Sequence, residues 1–298
     1  MRIVKAFAKI ALSVAALWFV YQKIDIHDLA LVFGNVNYTW LLLATLLFVV
    51  SKIASSFRLN VFFRDIKTGL TENSNLRLYL LGMYYNLFLP GGIGGDGYKI
   101  YLLNKRYKTG VKPVFQAVLL DRINGVLALF ILALLMVPLI PLPVVYKYGA
   151  IVAAPASFFI YHQAIRKFFP AFGKSIFKSS YYSLAVQLSQ VLSAWFILKA
   201  IGQNEQLLSY LFLFLVSSVV ATLPITIGGI GSREITFLFG AGIMHLNVSQ
   251  SIALSLLFYV ITAVVSLAGI YFSLNERAMK IEREENREAA DVNNLGEE

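Results

Sequence analysis

Lys99 and Arg233 occupy the same place in two copies of one eleven-residue pattern. The copies are Leu89-Pro90-Gly91-Gly92-Ile93-Gly94-Gly95-Asp96-Gly97-Tyr98-Lys99 and Leu223-Pro224-Ile225-Thr226-Ile227-Gly228-Gly229-Ile230-Gly231-Ser232-Arg233, which agree at six of eleven positions. Pro90 and Pro224 lack an N–H and stop an incoming helix, while Gly94, Gly95 and Gly97, with Gly228, Gly229 and Gly231, admit dihedrals closed to other residues. A helix that restarts after each break aims unpaired amides and a positive dipole end at the break, which is a generic anion site. Lys99 and Arg233 add formal charge in that first turn. The expected guest is an anion, and the abundant anion of a bilayer is lipid phosphate. The competing reading is that the glycines only allow close helix packing and that the two cations snorkel to the interface.

Other polar residues fall around these breaks. Asn86, one turn before Pro90, could cap the break or line a cavity, and Glu234 could neutralise Arg233 or carry a coupled proton. Asp121 and Arg122 are sequence neighbours inside an apolar run and so point to different helix faces; Arg122 reaches either the cavity or the cytoplasmic interface. Lys52 and Arg58 read as snorkelling residues. His27, His162 and His245 have no metal-ligand spacing, and no Ser/His/Asp set or close carboxylate pair argues for hydrolysis. No metal site and no cofactor are expected. Gly92-x-Gly94-x-x-Gly97 matches the dinucleotide fingerprint as a string but lacks a βαβ context. With zero cysteines, disulfides, thiolate metal sites and a Cys nucleophile are excluded.

The elements that position these residues are membrane helices. Hydrophobic residues make up 58% of the 298 positions and charged ones 14%, against roughly 45–50% and about 25% in soluble domains. The net charge of +10 comes from Lys and Arg gathered in loops, which records membrane orientation rather than nucleic-acid binding. Apolar runs fall at about 3–22, 39–58, 76–89 with 98–107, 114–137, 146–161, 181–201, 207–223 with 232–244, and 250–273. The first is longer than a signal-peptide core and lacks a clear cleavage site, so it reads as a retained helix. Shifting the second, third and fourth runs by 134 positions lands on or near the sixth, seventh and eighth.

If both broken elements are re-entrant, every basic cluster faces one side, from Arg2/Lys5/Lys9 through Lys105 to Lys112 and on to the tail. If they cross, the Lys105 to Lys112 cluster faces outward and the positive-inside rule fails. The re-entrant model gives three crossings per half, an odd number, so the halves must be inverted. The expected fold is therefore an all-α polytopic membrane protein. It has two inverted repeats, each of three transmembrane helices plus a Gly/Pro-broken re-entrant helix pair. Residues 1–274 form one transmembrane domain, with repeat one at about 3–137 and repeat two at about 146–273. Residues 275–298 form a short charged cytoplasmic tail, read as a frayed helix end. Both termini are placed in the cytoplasm and the chain in the cytoplasmic (inner) membrane.

At Asn86-Leu87-Phe88-Leu89-Pro90 with Gly91-Gly92 and Gly94-Gly95, at Asp121-Arg122, and at Leu223-Pro224 through Gly228-Gly229-Ile230-Gly231-Ser232-Arg233-Glu234, the chain resembles the lysylphosphatidylglycerol synthase transmembrane-region family of flippase-like membrane proteins. The resemblance implies a domain that moves anionic or modified phospholipids, or polyprenyl-linked lipids, between leaflets. In bifunctional members it is joined to a soluble aminoacyltransferase domain; only about 25 residues follow the last helix here, so that activity is not carried over. The expectation is a lipid translocase with membrane lipids as partners, more transporter than enzyme, either passive or ion-coupled. Two rivals remain: an intramembrane transferase acting on a lipid phosphate with Asp96 or Asp121 as base, and a non-catalytic partner of a lipid synthase. A homo-oligomer is compatible with any of the three.

Overall fold

The structure is a computed structural model that describes residues 18, 21–22, 26–88, 94–223, 231–275 and 281–284. Pro90, Pro224, Gly228 and Gly229 lie outside the described residues, as does nearly all of the first apolar run. The chain order is α1 (Ile26–Gly34), α2 (Tyr38–Asp65), α3 (Glu72–Phe88), α4 (Gly94–Tyr107), α5 (Val111–Met136), α6 (Val144–Phe168), α7 (Ile176–Ala200), α8 (Leu207–Thr222), α9 (Ser232–Ile243), α10 (Val248–Leu267) and α11 (Ile270–Leu274). Among the described residues there is no strand, only an isolated bridge between Leu70 and Arg283.

Among the described residues, five helical stretches are long and apolar enough to cross a membrane, those built on α2, α5, α6, α7 and α10. The protein is an all-α polytopic membrane protein. The arms α3, α4, α8 and α9 have 17, 14, 16 and 12 residues. At ~1.5 Å per residue they reach about 25, 21, 24 and 18 Å. Each falls short of a hydrocarbon layer about 30 Å thick.

Helices α2 and α7, equivalent under the 134-residue shift, pack against each other along much of their length. The Asn37 amide donates to the Ala200 carbonyl, the Ser193 hydroxyl to the Ala44 carbonyl, the Arg58 guanidinium to Ser183 and the Ser175 hydroxyl to Asp65. One residue number rises as its partner falls, so the pair is antiparallel. Small buried residues at the seam, Ala44, Ser51, Ser55, Ser183, Ser193 and Ala194, let the backbones approach closely. Ser51 and Ser55 turn their hydroxyls back onto Phe48 and Ser51 carbonyls, so the stripe buries no unpaired donor.

Two apolar clusters lie at opposite ends of this pair. One gathers Ala44 and Phe48 with Ile197, Tyr210, Phe214, Phe237 and Ala241. The other gathers Leu59 and Phe63 with Leu70, Leu78, Leu103, Val114, Ile165 and Ile176. The α8–α9 pair is thus rooted at one end and the α3–α4 pair at the other, and both run toward the middle. Packing partners also exchange under the shift: α5 packs on α8 as α10 packs on α3.

The tail departs from the frayed-helix expectation at 281–284. Ile281 is 4% exposed and belongs to the second cluster, the Thr71 amide donates to the Glu282 carbonyl, and Arg64 pairs with both Glu72 and Glu284. Ile281 supplies the apolar anchor that a reading of charge alone passes over.

Candidate functional site

Where the α3–α4 and α8–α9 pairs meet α2, there is a cavity of about 390 Å³. Helix α2 lines it with Lys52, Ser55 and Arg58, a spacing that puts all three on one face. Helix α5 contributes Asp121, Arg122 and Gly125; α3 and α4 bring Tyr79, Asn86, Asp96 and Lys99; α8 and α9 bring Ser218 and Arg233; and α10 supplies Tyr259, Thr262 and Ser266. Five cations and two carboxylates therefore share one space within a membrane protein.

The carboxylates are already engaged. Asp121 accepts from Arg58 Nε at 2.7 Å and Nη2 at 3.2 Å, and Arg58 Nη1 donates to Ser183 at 3.0 Å. Asp96 accepts from Lys99 Nζ at 3.1 Å through Oδ1 and from Arg122 Nε through Oδ2. The neighbours Asp121 and Arg122 face different partners, and both line the cavity.

Lys52 and Arg233 have no carboxylate partner among the described residues. Lys52 Nζ lies 4.4 Å from the Phe48 ring centroid. The Arg233 guanidinium lies 4.9 Å from the Phe258 ring and 5.7 Å from that of Phe214, with one long hydrogen bond of 3.4 Å to Ser218. Aromatic faces orient a cation without neutralising it.

The structure brings four of the residues singled out by sequence, Asn86, Lys99, Arg122 and Arg233, onto the cavity wall. Lys99 does not snorkel: it is 5% exposed, bonded to Asp96 and 4.7 Å from the Tyr79 ring. Lys52 and Arg58, expected to snorkel, instead line the cavity. The signal in the sequence was the serine stripe at 51, 55 and 56, which marks this stretch of α2 as packed against protein rather than lipid.

Two amides expected to be free are taken. The Gly95 N–H donates to Asn86 Oδ1 at 2.8 Å, and the Gly231 N–H to Glu234 Oε2 at 2.6 Å. Asn86 thus both caps α4 and lines the cavity. Glu234 is 3% exposed, caps α9 and accepts from Ser255 at 2.7 Å; no ion pair joins it to Arg233 among the described residues. Gly95 serves close approach, since a Cβ there would fall 1.9 Å from the Gly82 carbonyl oxygen. Gly97 is exposed and faces open space. Gly94 is part-buried at the start of α4 and Gly231 buried at the start of α9, and neither lines the cavity.

A family model described as the lysylphosphatidylglycerol synthase TM region matches residues 6–269. No curated protein matches the chain.

Proposed function

We propose that this chain, which belongs to the lysylphosphatidylglycerol synthase TM-region family, moves a phosphate-bearing lipid between leaflets. The headgroup occupies the cavity and the acyl chains stay in the bilayer. The observation that carries this reading is the imbalance of charge: among the described residues five cations line the cavity, two carboxylates do, and Lys52 and Arg233 have no carboxylate partner. Ionisable groups inside a membrane are costly and are retained for a purpose. Here the missing counter-charge is supplied by a lipid phosphate.

In this reading the halves are inverted repeats and α3–α4 and α8–α9 are re-entrant pairs entering from opposite faces. The antiparallel α2–α7 seam, the two clusters at its ends and the short arms support that arrangement. The end holding Arg64, Lys105, Arg166 and Lys174 faces the cytoplasm by the positive-inside rule. The inverted halves rock about the fixed site to expose it alternately. The transferase alternative needs a free carboxylate base, and Asp96 and Asp121 are both ion-paired, which favours transport.

The test is translocation of fluorescent phosphatidylglycerol in phosphatidylcholine vesicles, read by dithionite quenching. A charge-assisted contact is worth about 1.5–3 kcal/mol, so Lys52→Ala with Arg233→Ala slows translocation at least about tenfold. Equal rates for variant and wild type would sink the assignment.

A further inference from the structure

The five cations divide into groups of different character. Arg58 is committed to Asp121 and Ser183. Lys52 and Arg233 face aromatic rings and have no carboxylate among the described residues. Lys99 and Arg122 share Asp96, which gives one oxygen to each, Oδ1 to Lys99 and Oδ2 to Arg122. A phosphodiester presents the same two-pronged geometry through its two free oxygens. Asp96 therefore stands where the phosphate of a bound headgroup would stand between those two cations.

We propose that Asp96 is an internal counter-ion that holds Lys99 and Arg122 while the cavity is empty and is displaced by the phosphate during translocation. The proposal rests on the transport reading above and adds an order of events to it. The phosphate is first held by Lys52 and Arg233, neither of which is ion-paired to a carboxylate among the described residues. It then passes to Lys99 and Arg122, and cannot do so while Asp96 remains, because two anions would share one pair of cations in a poorly screened cavity.

The exchange has a mechanical consequence. Asp96 and Lys99 lie on α4 and Arg122 on α5, so the Asp96–Arg122 bond fastens the first hairpin to a membrane-spanning helix. When Asp96 leaves, that fastening opens at the moment the site fills. Lys99 stays in place without Asp96, because its ammonium lies over the Tyr79 ring of α3. The position equivalent to Asp96 in the second half is Ile230, so the sequence places no carboxylate at that point of the second hairpin. Asp96 is a positioning residue in this scheme.

The experiment compares wild type, Asp96→Asn and Asp96→Glu for binding of glycerophosphoglycerol in detergent and for translocation of fluorescent phosphatidylglycerol in vesicles. Asp96→Asn binds about tenfold more tightly and translocates at least about tenfold more slowly, because the competing anion is gone and the site no longer releases its load. Asp96→Glu, which keeps the charge, stays within about threefold of wild type in both. Unchanged or weaker binding by Asp96→Asn, or an unchanged rate, overturns the proposal.

A second measurement does not depend on the stability of that variant. The chain has no cysteine, so Gly97→Cys and Ile123→Cys, both at exposed positions on α4 and α5, take spin labels uniquely. The label separation lengthens when glycerophosphoglycerol is added, and a constant separation overturns the proposal. The two readings fail differently: if Lys52→Ala with Arg233→Ala loses no affinity, the transport site itself is misplaced. If that variant loses affinity while Asp96→Asn gains none, the counter-ion proposal alone falls.

Discussion

Removing Asp121 while leaving Arg58 tests whether the ion pair between α2 and α5 is structural. The two side chains are 7% and 10% exposed, and the pair is bidentate at 2.7 and 3.2 Å. Asp121→Asn leaves a guanidinium in a cavity that already holds Lys52 and Arg122. Breaking a buried pair by removing one partner costs about 3–5 kcal/mol. One side of this pair lines the cavity, which points to the lower end, about 3 kcal/mol. At about 2–4 °C per kcal/mol for a large domain, the unfolding midpoint falls by about 6–12 °C. Replacing both members, Arg58→Met with Asp121→Leu, recovers most of that loss, since an apolar pair of similar volume often matches or exceeds a buried ion pair. The assay is thermal unfolding in detergent followed by tryptophan fluorescence; Trp40 and Trp195 sit on α2 and α7, the packed pair that the change would loosen. A midpoint within about 1 °C of wild type for Asp121→Asn, or additive losses in the double variant, would refute the reasoning.

Three further outcomes follow from local geometry. Gly95→Ala places a methyl 1.9 Å from the Gly82 carbonyl oxygen and forces the hairpin arms apart, at a cost of about 1–3 kcal/mol. Gly97→Ala meets nothing within 4 Å and gains up to about 1 kcal/mol of helix propensity, so the two unfolding midpoints move in opposite directions. Ile281→Asp detaches the clasp at 281–284, costing about 2–5 kcal/mol locally as for a buried isoleucine deletion. Limited proteolysis then cuts after the last helix, whereas Arg64→Ala, at a pair about one-third exposed, changes the cleavage rate little. Glu234→Ala leaves the Gly231 amide and the Ser255 hydroxyl without their acceptor and lowers stability by about 1–2 kcal/mol, read from the same unfolding curves.

Most of the helices were legible in the sequence because a bilayer imposes a single strong pattern, although α1 at Ile26–Gly34 falls in none of the expected apolar runs. Observed bounds such as 111–136 against the expected 114–137, or 207–222 against 207–223, follow from apolar runs that only a change of polarity or a break can end. The duplicated breaks also located the cavity, since their flanking residues Asn86, Lys99 and Arg233 line it. Partnership was not legible. A cation in a membrane helix carries the same letter whether it snorkels, pairs or waits for a ligand, and Lys52, Arg58 and Lys99 turned out to face aromatic rings, Asp121 and Asp96 respectively. Amides were misjudged for a related reason: the acceptors that take them, Asn86 and Glu234, are nine and three residues away, and side-chain direction decides whether they cap or coordinate.

In the proposed arrangement of two repeats, the scaffold is duplicated but its charge is not. Positions 134 residues beyond Lys52, Arg58, Asp96, Asp121 and Arg122 hold Val186, Leu192, Ile230, Ser255 and Leu256, so only Lys99 has a basic counterpart, Arg233. Ser255, standing where Asp121 would, turns to Glu234 and serves the cap of α9 instead. Every other charge lining the cavity therefore belongs to the first half. Under the proposed transport, a phosphate handed from Lys52 to Lys99 and Arg122 has a cation of the first half beside it at each stage. The cationic contact that relative movement of the halves must break is the one to Arg233, worth about 1.5–3 kcal/mol, a barrier far below the cost of stripping an anion from all its partners inside a membrane. In that reading, an asymmetric site in a symmetric frame lets the frame reverse its opening while the charge stays compensated.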